Sequence, residues 1–154
     1  LLSFEKGAKV RTGSQTYQYK KWGRNRLKLV ATDTDQGVFL KRFSVKLRIR
    51  DLEGVMLHKV LKTGVMLKVK RPTGENLFIV KMFPDKAVVS ENNGPKLFTI
   101  VPDQGRILFK DTAGQVQYIL EGETRPSSSA FLCIPQLSWP ERIACYLLYR
   151  DIFY

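Results

Sequence analysis

The sequence predicts an all-β domain with one C-terminal helix: about twelve antiparallel strands forming a barrel around a buried hydrophobic helix. Three observations carry this. Apolar and polar residues alternate through nearly everything before residue 136, the period of half-buried strands. Turn signals recur about every 8–12 residues, the spacing of an antiparallel meander. The last sixteen residues abandon period two for a helical pattern. With 154 residues and 44% apolar content, the chain can build one cored domain spanning 1–154.

The strands follow in order. Leu27 and Leu29 alternate with Arg26 and Lys28. Phe43, Val45, Leu47 and Ile49 alternate with Ser44, Lys46, Arg48 and Arg50. Val65, Leu67 and Val69 alternate with Met66, Lys68 and Lys70. Shorter apolar runs follow at 77–80, 87–89, 97–101, 107–109, 116–120 and 130–134. Between them stand turn sequences such as Asp51-Leu52-Glu53-Gly54, Pro72-Thr73-Gly74, Asn92-Asn93-Gly94-Pro95 and Asp111-Thr112-Ala113-Gly114. Each supplies a preset negative φ or a residue that tolerates positive φ. The polar stretch Arg125-Pro126-Ser127-Ser128-Ser129 reads as a connection.

Ser138-Trp139-Pro140-Glu141 is a capping box, with Ser138 and Glu141 placed to satisfy the first free amides of a helix. Pro140 fits that first turn. The helix is expected over 139–152. From Ile143 to Tyr149 it is apolar on every side, so it is expected to be buried on every side. The interior of a barrel offers such a place. Ile143, Ala144, Leu147 and Leu148 are its predicted core.

Composition excludes much chemistry. No apolar run reaches the ~18 residues of a membrane-spanning helix. The sequence starts at Leu1, so a signal peptide, lipid anchor or membrane helix could precede it. Cys133 and Cys145 are too few for a disulfide framework and sit in apolar surroundings, where buried free thiols are expected. The single histidine, His58, has no constellation around it, and a structural role is expected. There is no zinc spacing, no Gly-rich phosphate loop and no dinucleotide fingerprint. Asp33-Thr34-Asp35-Gln36-Gly37 opens like a calcium loop, but Val38 and Ser44 occupy the positions that need Gly and Glu, so a turn explains it. The chain therefore reads as a non-enzyme, with no cofactor and no metal.

The strand-rich layout with one apolar C-terminal helix resembles the tubby C-terminal-like barrel superfamily, which includes tubby proteins, phospholipid scramblases and LURP-one-related proteins. The residues that carry the resemblance are the hairpins Arg50-Asp51-Leu52-Glu53-Gly54-Val55-Met56 and Lys110-Asp111-Thr112-Ala113-Gly114-Gln115-Val116, with the terminal stretch from Glu141 to Tyr149. The resemblance implies strands closed around a central hydrophobic helix. The proline-rich, calcium-binding and membrane segments of scramblases have no counterpart here, so scrambling is not implied. The LURP-one-related members fit best in length.

Charge supplies the sharpest functional clue. The net charge is +12. Residues 1–71 hold 18 Lys and Arg against 5 Asp and Glu, a net of +13; residues 72–154 hold 8 against 9, a net of −1. In the basic half the cations sit on the polar phase of strands: Arg26 and Lys28; Lys46, Arg48 and Arg50; Lys68 and Lys70. Upstream, the stretch from Tyr17 to Arg26 interleaves aromatics, including Trp22, with Lys20, Lys21, Arg24 and Arg26. Like charges side by side destabilise a sheet, so an anionic partner is expected. The favoured reading is a monomeric binding module for acidic membrane lipid headgroups, through those eleven residues with Trp22 as interfacial anchor. Single-stranded nucleic acid, which would stack on the aromatics, is the alternative partner. A structural or protein-interaction domain with no small ligand is the third reading. A cytoplasmic or membrane-peripheral location is expected over secretion.

Overall fold

A computed structural model describes residues 2–153. Thirteen strands form one sheet: β1 (Ser3–Glu5), β2 (Lys9–Thr12), β3 (Gln15–Trp22), β4 (Arg26–Ala31), β5 (Gly37–Phe43), β6 (Lys46–Asp51), β7 (Met56–Thr63), β8 (Met66–Lys70), β9 (Asn76–Phe83), β10 (Lys86–Glu91), β11 (Lys96–Asp103), β12 (Arg106–Lys110) and β13 (Val116–Glu121). Spatial order equals chain order, and every pair is antiparallel. A helical turn α1 (Pro126–Ser129), a 3-10 turn (Ala130–Cys133) and the helix α2 (Trp139–Tyr149) complete the chain.

Two departures from expectation follow. β1 and β13 stand at the two ends of the order and no ladder joins them among the described residues, so the sheet is open where a closed barrel is expected. The run 130–134 is a 3-10 turn rather than a strand, preceded by helical turn α1 in what reads as a plain connection. Five apolar residues have no period to tell strand from helix. Here Ser129 Oγ donates to the Arg125 carbonyl at 2.7 Å and closes the helical turn.

The helix begins and is buried as expected but ends three residues early. Ser138 and Glu141 form the capping box, the Ser138 amide donating to Glu141 Oε1 at 3.2 Å. The amides of Ile152 and Phe153 both donate to the Tyr149 carbonyl, so the regular helix stops at Tyr149, short of residue 152. Every residue from Ile143 to Tyr149 is buried, and Ile143, Ala144, Leu147 and Leu148 are at most 1% exposed. The inward side chains of β2 through β13, from Val10 to Leu120, form one continuous cluster with those of the helical segments. A single sheet in which β2 through β13 share one core with the helical segments is curled. Both cysteines are buried free thiols, and burial pushes the Cys133 thiol up to about 12.

From β6 onward the fold repeats every 20 residues, a period that composition conceals. Leu47, Leu67, Ala87 and Ile107 are equivalent inward positions; so are Ile49, Val69, Val89 and Phe109, and Val60, Val80, Ile100 and Leu120. The register slips at the same place in each unit, at Arg50, Lys70, Ser90 and Lys110. Each slip leads into a turn in which the first residue exchanges bonds with the chain ahead, as when Asp51 N donates to the Val55 carbonyl and Gly54 N to the Asp51 carbonyl. Gly54, Gly74 and Gly114 sit there at φ between 82° and 107°, a region open to glycine. These turns form one end of the sheet. The short hairpins at 23–25, 44–45, 64–65, 84–85 and 104–105 form the other, which we term the tip end.

Candidate anion-binding face

Alternation places the cations, and register assembles them. Arg26 on β4 lies opposite Lys41 on β5; Lys41 lies opposite Arg48 on β6; Arg48 opposite Lys59 on β7; Lys59 opposite Lys70 on β8. Five cations thus stand in one unbroken lateral row on the outward surface, one per strand. At the strand spacing of about 4.8 Å the row extends about 19 Å. Trp22 begins the row opposite Arg26, and Asn76 ends it opposite Lys70.

Two parallel rows flank it. Lys20 faces Lys28, Lys28 faces Phe39 and Phe39 faces Arg50. Phe43 faces Lys46, Lys46 faces Leu61 and Leu61 faces Lys68. The Lys20 ammonium lies 5.1 Å from the Trp22 ring centroid, and Trp22 packs 6.1 Å from Phe39. The surface therefore mixes cations with aromatic and aliphatic side chains.

Among the described residues the ion pairs are Lys21–Asp151, His58–Glu141, Arg106–Asp103 and Arg125–Glu123. No cation of the three rows has a carboxylate partner among them. Within β3 to β8 the only acidic residue is Asp51, at the end of β6, and its carboxylate is taken by the amides of Glu53 and Val55 at 2.9 Å. Directly opposed like charges destabilise a sheet by a few tenths to about 1 kcal/mol per pair. The core beneath, with Leu27, Leu40, Leu47, Val60 and Val69 at most 1% exposed, carries that cost.

Of the residues read from sequence, the structure brings Lys20, Trp22, Arg26, Lys28, Lys46, Arg48, Arg50, Lys68 and Lys70 onto this surface. Arg24 projects from the β3–β4 hairpin at its edge. Lys21 is not part of it: it pairs with Leu27 on the inward phase and binds the Asp151 carboxylate beyond α2. Reading Tyr17 to Arg26 as one cluster overlooks the alternation within it. Lys41 and Lys59 were missed. Each lies on the outward phase, between Leu40 and Arg42 and between His58 and Val60, so period two alone points to them.

The face is shallow. A depression of about 270 Å³ is lined by Lys46, Arg48, Lys59, Leu61 and Lys70. Another of about 370 Å³ lies between Trp22, Lys28, Phe39, Arg50 and Asp51. A third, about 500 Å³, borders the face at Lys68 and Lys81 but carries Glu91 on its rim. We give most weight to the first, whose charged lining is entirely positive; in the second the Asp51 carboxylate is occupied by the amides of Glu53 and Val55, whereas Glu91 opposes an anion in the third.

The remaining polar clusters hold the fold together. His58 points inward from β7 with Nδ1 2.5 Å from Glu141 Oε2, tying the helix start to the sheet. Glu123 is 3% exposed and accepts from Arg125 Nε at 2.8 Å, from the amides of Thr124 and Arg125, and from the Tyr146 hydroxyl at 2.5 Å. Burial alone would raise the Glu123 pKa, but these donors outweigh it and hold the carboxyl below its ordinary range. No three His, Cys, Asp or Glu side chains converge as a metal site among the described residues, and no helix there is long and apolar enough to cross a membrane.

Compared with known protein families, curated proteins and solved structures, the chain matches none. Its function is therefore argued from the face itself.

Proposed function

We propose that this chain is a non-enzymatic binding module for anionic membrane lipid headgroups, engaged through the outward surface of β3 to β8. One observation carries the reading: the row Arg26–Lys41–Arg48–Lys59–Lys70, five directly opposed cations with no carboxylate partner among the described residues. Lipid phosphates supply the anionic partners that the row lacks within the chain. Each Lys or Arg close to an anionic bilayer contributes about 1 kcal/mol, so the row suffices for reversible attachment. The curled sheet around one apolar helix supports placing the chain beside the tubby-like barrels, as an open variant of that barrel.

The test is co-sedimentation with vesicles of mixed phosphatidylserine and phosphatidylcholine, against phosphatidylcholine alone. Wild type binds the first and not the second, more weakly as salt shortens the Debye length from ~8 Å at 0.15 M to ~3 Å at 1 M. Replacing Arg48→Glu, Lys59→Glu and Lys70→Glu together reverses three contributions and weakens binding by at least two orders of magnitude, on about 1 kcal/mol per lost cation before any new repulsion is counted. A folded triple variant that binds as wild type does overturns the proposal. Wild type that ignores anionic vesicles yet binds single-stranded oligonucleotide with a steep salt slope replaces the lipid with nucleic acid.

A further inference from the structure

The tip end carries a feature that the basic face leaves unexplained. Large apolar side chains protrude from successive hairpin tips: Trp22 before the first, Phe43 and Val45 at the second, Val65 at the third and Phe83 at the fourth. Phe43 is 79% exposed and Val65 64%. Phe43 and Phe83 occupy the same position two 20-residue units apart. The fifth tip, Asp103-Gln104-Gly105-Arg106, is polar. Protruding apolar tips thus coincide with the strands that carry the cations and stop where the cations thin out.

These tips are held rigidly in line. The Val45 carbonyl accepts from Lys62 N at 2.9 Å and the Val65 carbonyl from Met82 N at 2.7 Å, so each tip is tied to the strand that follows its hairpin. Cations flank them: Arg24 and Arg26 at the first, Lys46 at the second, Lys86 at the fourth, its ammonium 5.3 Å from the Phe83 ring centroid. The opposite end bears Asp33, Asp35, Asp51, Glu53, Glu75 and Glu91 in its turns. Near the tips, Asp103, Glu123 and Asp151 are each bound to a cation, and Asp85 stands in the fourth tip between Phe83 and Lys86. The molecule is therefore electrically polar along its strands; Leu52, Val55 and Val116 are exposed at the acidic end, and at the tip end the exposed apolar side chains stand among cations.

Resting on the lipid reading above, we propose that the domain meets the bilayer tip-first, with Phe43, Val45, Val65 and Phe83 inserted at the boundary between headgroups and acyl chains. The basic row leaves the tip end at Trp22 and Arg26 and climbs across the face, so its lower members join the contact while the upper ones supply long-range attraction. Apolar tips give the attachment a component that salt does not screen.

Two measurements test this on phosphatidylserine–phosphatidylcholine vesicles. The variant Phe43→Ser, Val65→Ser, Phe83→Ser keeps binding at low salt but loses the portion that survives ~1 M salt, by about tenfold or more. Because Cys133 and Cys145 are buried, a thiol introduced by Val65→Cys can be labelled selectively with a solvatochromic dye. Its emission shifts to the blue when vesicles are added; the same label at Ala113→Cys, on the opposite end, does not shift. Vesicle-bound protein with no shift at residue 65, or with a shift at 113, overturns the tip-first orientation while leaving lipid binding by the face intact. A tip variant that binds as wild type at every salt concentration does the same. If the tip variant instead abolishes a concentration-dependent dimer and leaves vesicle binding unchanged, the tips serve a second copy of this chain and the proposal falls. Wild type that binds no anionic vesicle overturns the lipid reading itself, and the orientation with it.

Discussion

Leu147 sits at 1% exposure near the C-terminal end of α2, with Ala144, Cys145 and Leu148 beside it at 0%. Leu→Ala removes buried methyl groups and leaves a cavity, at a cost of about 2–5 kcal/mol set by how far the surroundings collapse. Here collapse is resisted on three sides. The capping box and the His58–Glu141 contact pin the helix start. The Tyr146 hydroxyl binds Glu123. Near its end, Tyr149 is stacked between Phe131 at 5.1 Å and Phe153 at 5.0 Å. Leu147→Ala is therefore expected in the upper half of the range, about 3–5 kcal/mol. At about 1.4 kcal/mol per factor of ten, the folded-to-unfolded ratio falls more than a hundredfold. In urea, with m near 2 kcal/mol/M, the midpoint moves down by roughly 1.5–2.5 M. Far-UV circular dichroism and Trp139 fluorescence follow the sheet and the helix start in one titration. Leu52→Ala, at an exposed turn, serves as control and stays within about 0.5 kcal/mol. A Leu147→Ala cost below about 1 kcal/mol with unchanged m would refute the tight burial of the helix in the core. Leu147→Asp, which buries an unpaired carboxylate, is expected not to fold.

The buried carboxylate makes a pH prediction. Because the Glu123 pKa is depressed in the folded state, its stabilisation is present above the ordinary value of 4.5 and is lost as pH falls through the folded value. Thermal midpoints of wild type should drop below pH ~4.5, and Glu123→Gln should be less stable at neutral pH with a shallower acid limb. Tyr146→Phe removes one donor to that carboxylate and should cost about 1.5–3 kcal/mol at pH 7 by chemical denaturation; a neutral result would detach the Tyr146–Glu123 bond from stability. Gly74 has φ +107° and open space where a Cβ would stand, so Gly74→Ala isolates backbone strain. It should cost about 1–2 kcal/mol in the same melt, and a stabilised variant would contradict the turn geometry.

The strands from β4 to β8 and the helix were legible because each has a period or a cap that local sequence displays: Leu27/Leu29, Leu47/Ile49, Leu67/Val69, and Ser138 with Glu141. What escaped was non-local. Whether β1 meets β13 depends on the curl of the whole sheet, which no segment encodes. The 20-residue repeat preserves size class and turn position rather than identity, as Leu47, Leu67, Ala87 and Ile107 illustrate. The candidate face was half legible for the same reason. Alternation says that Arg48 and Lys70 point outward; only the register, set by short hairpins at one end and the slipped turns at the other, says that Lys59 stands between them.

That register has a consequence for how the charge came to be concentrated. In a repeat of 20 residues, equivalent outward positions recur on alternate strands, so Arg48, Lys68, Val88 and Leu108 occupy one site in four units. The first two units carry a cation there and the last two do not. The inward positions stay apolar throughout, and at this outward site the same backbone carries Val88, itself buried, and Leu108, partly exposed. A mere demand for solubility would distribute charge over all four units and mix its sign. Concentrating one sign on adjacent strands, against the repulsion it creates, while placing apolar side chains at the tips of those same strands, is the pattern expected of a surface that meets an anionic boundary. A chimaera that exchanges Arg48 with Leu108, the one position of the 106–110 strand where the equivalent site lacks a cation, would keep net charge and core unchanged. On the reading developed above it should lose vesicle binding by breaking the row. If it binds as wild type does, total charge rather than arrangement governs attachment.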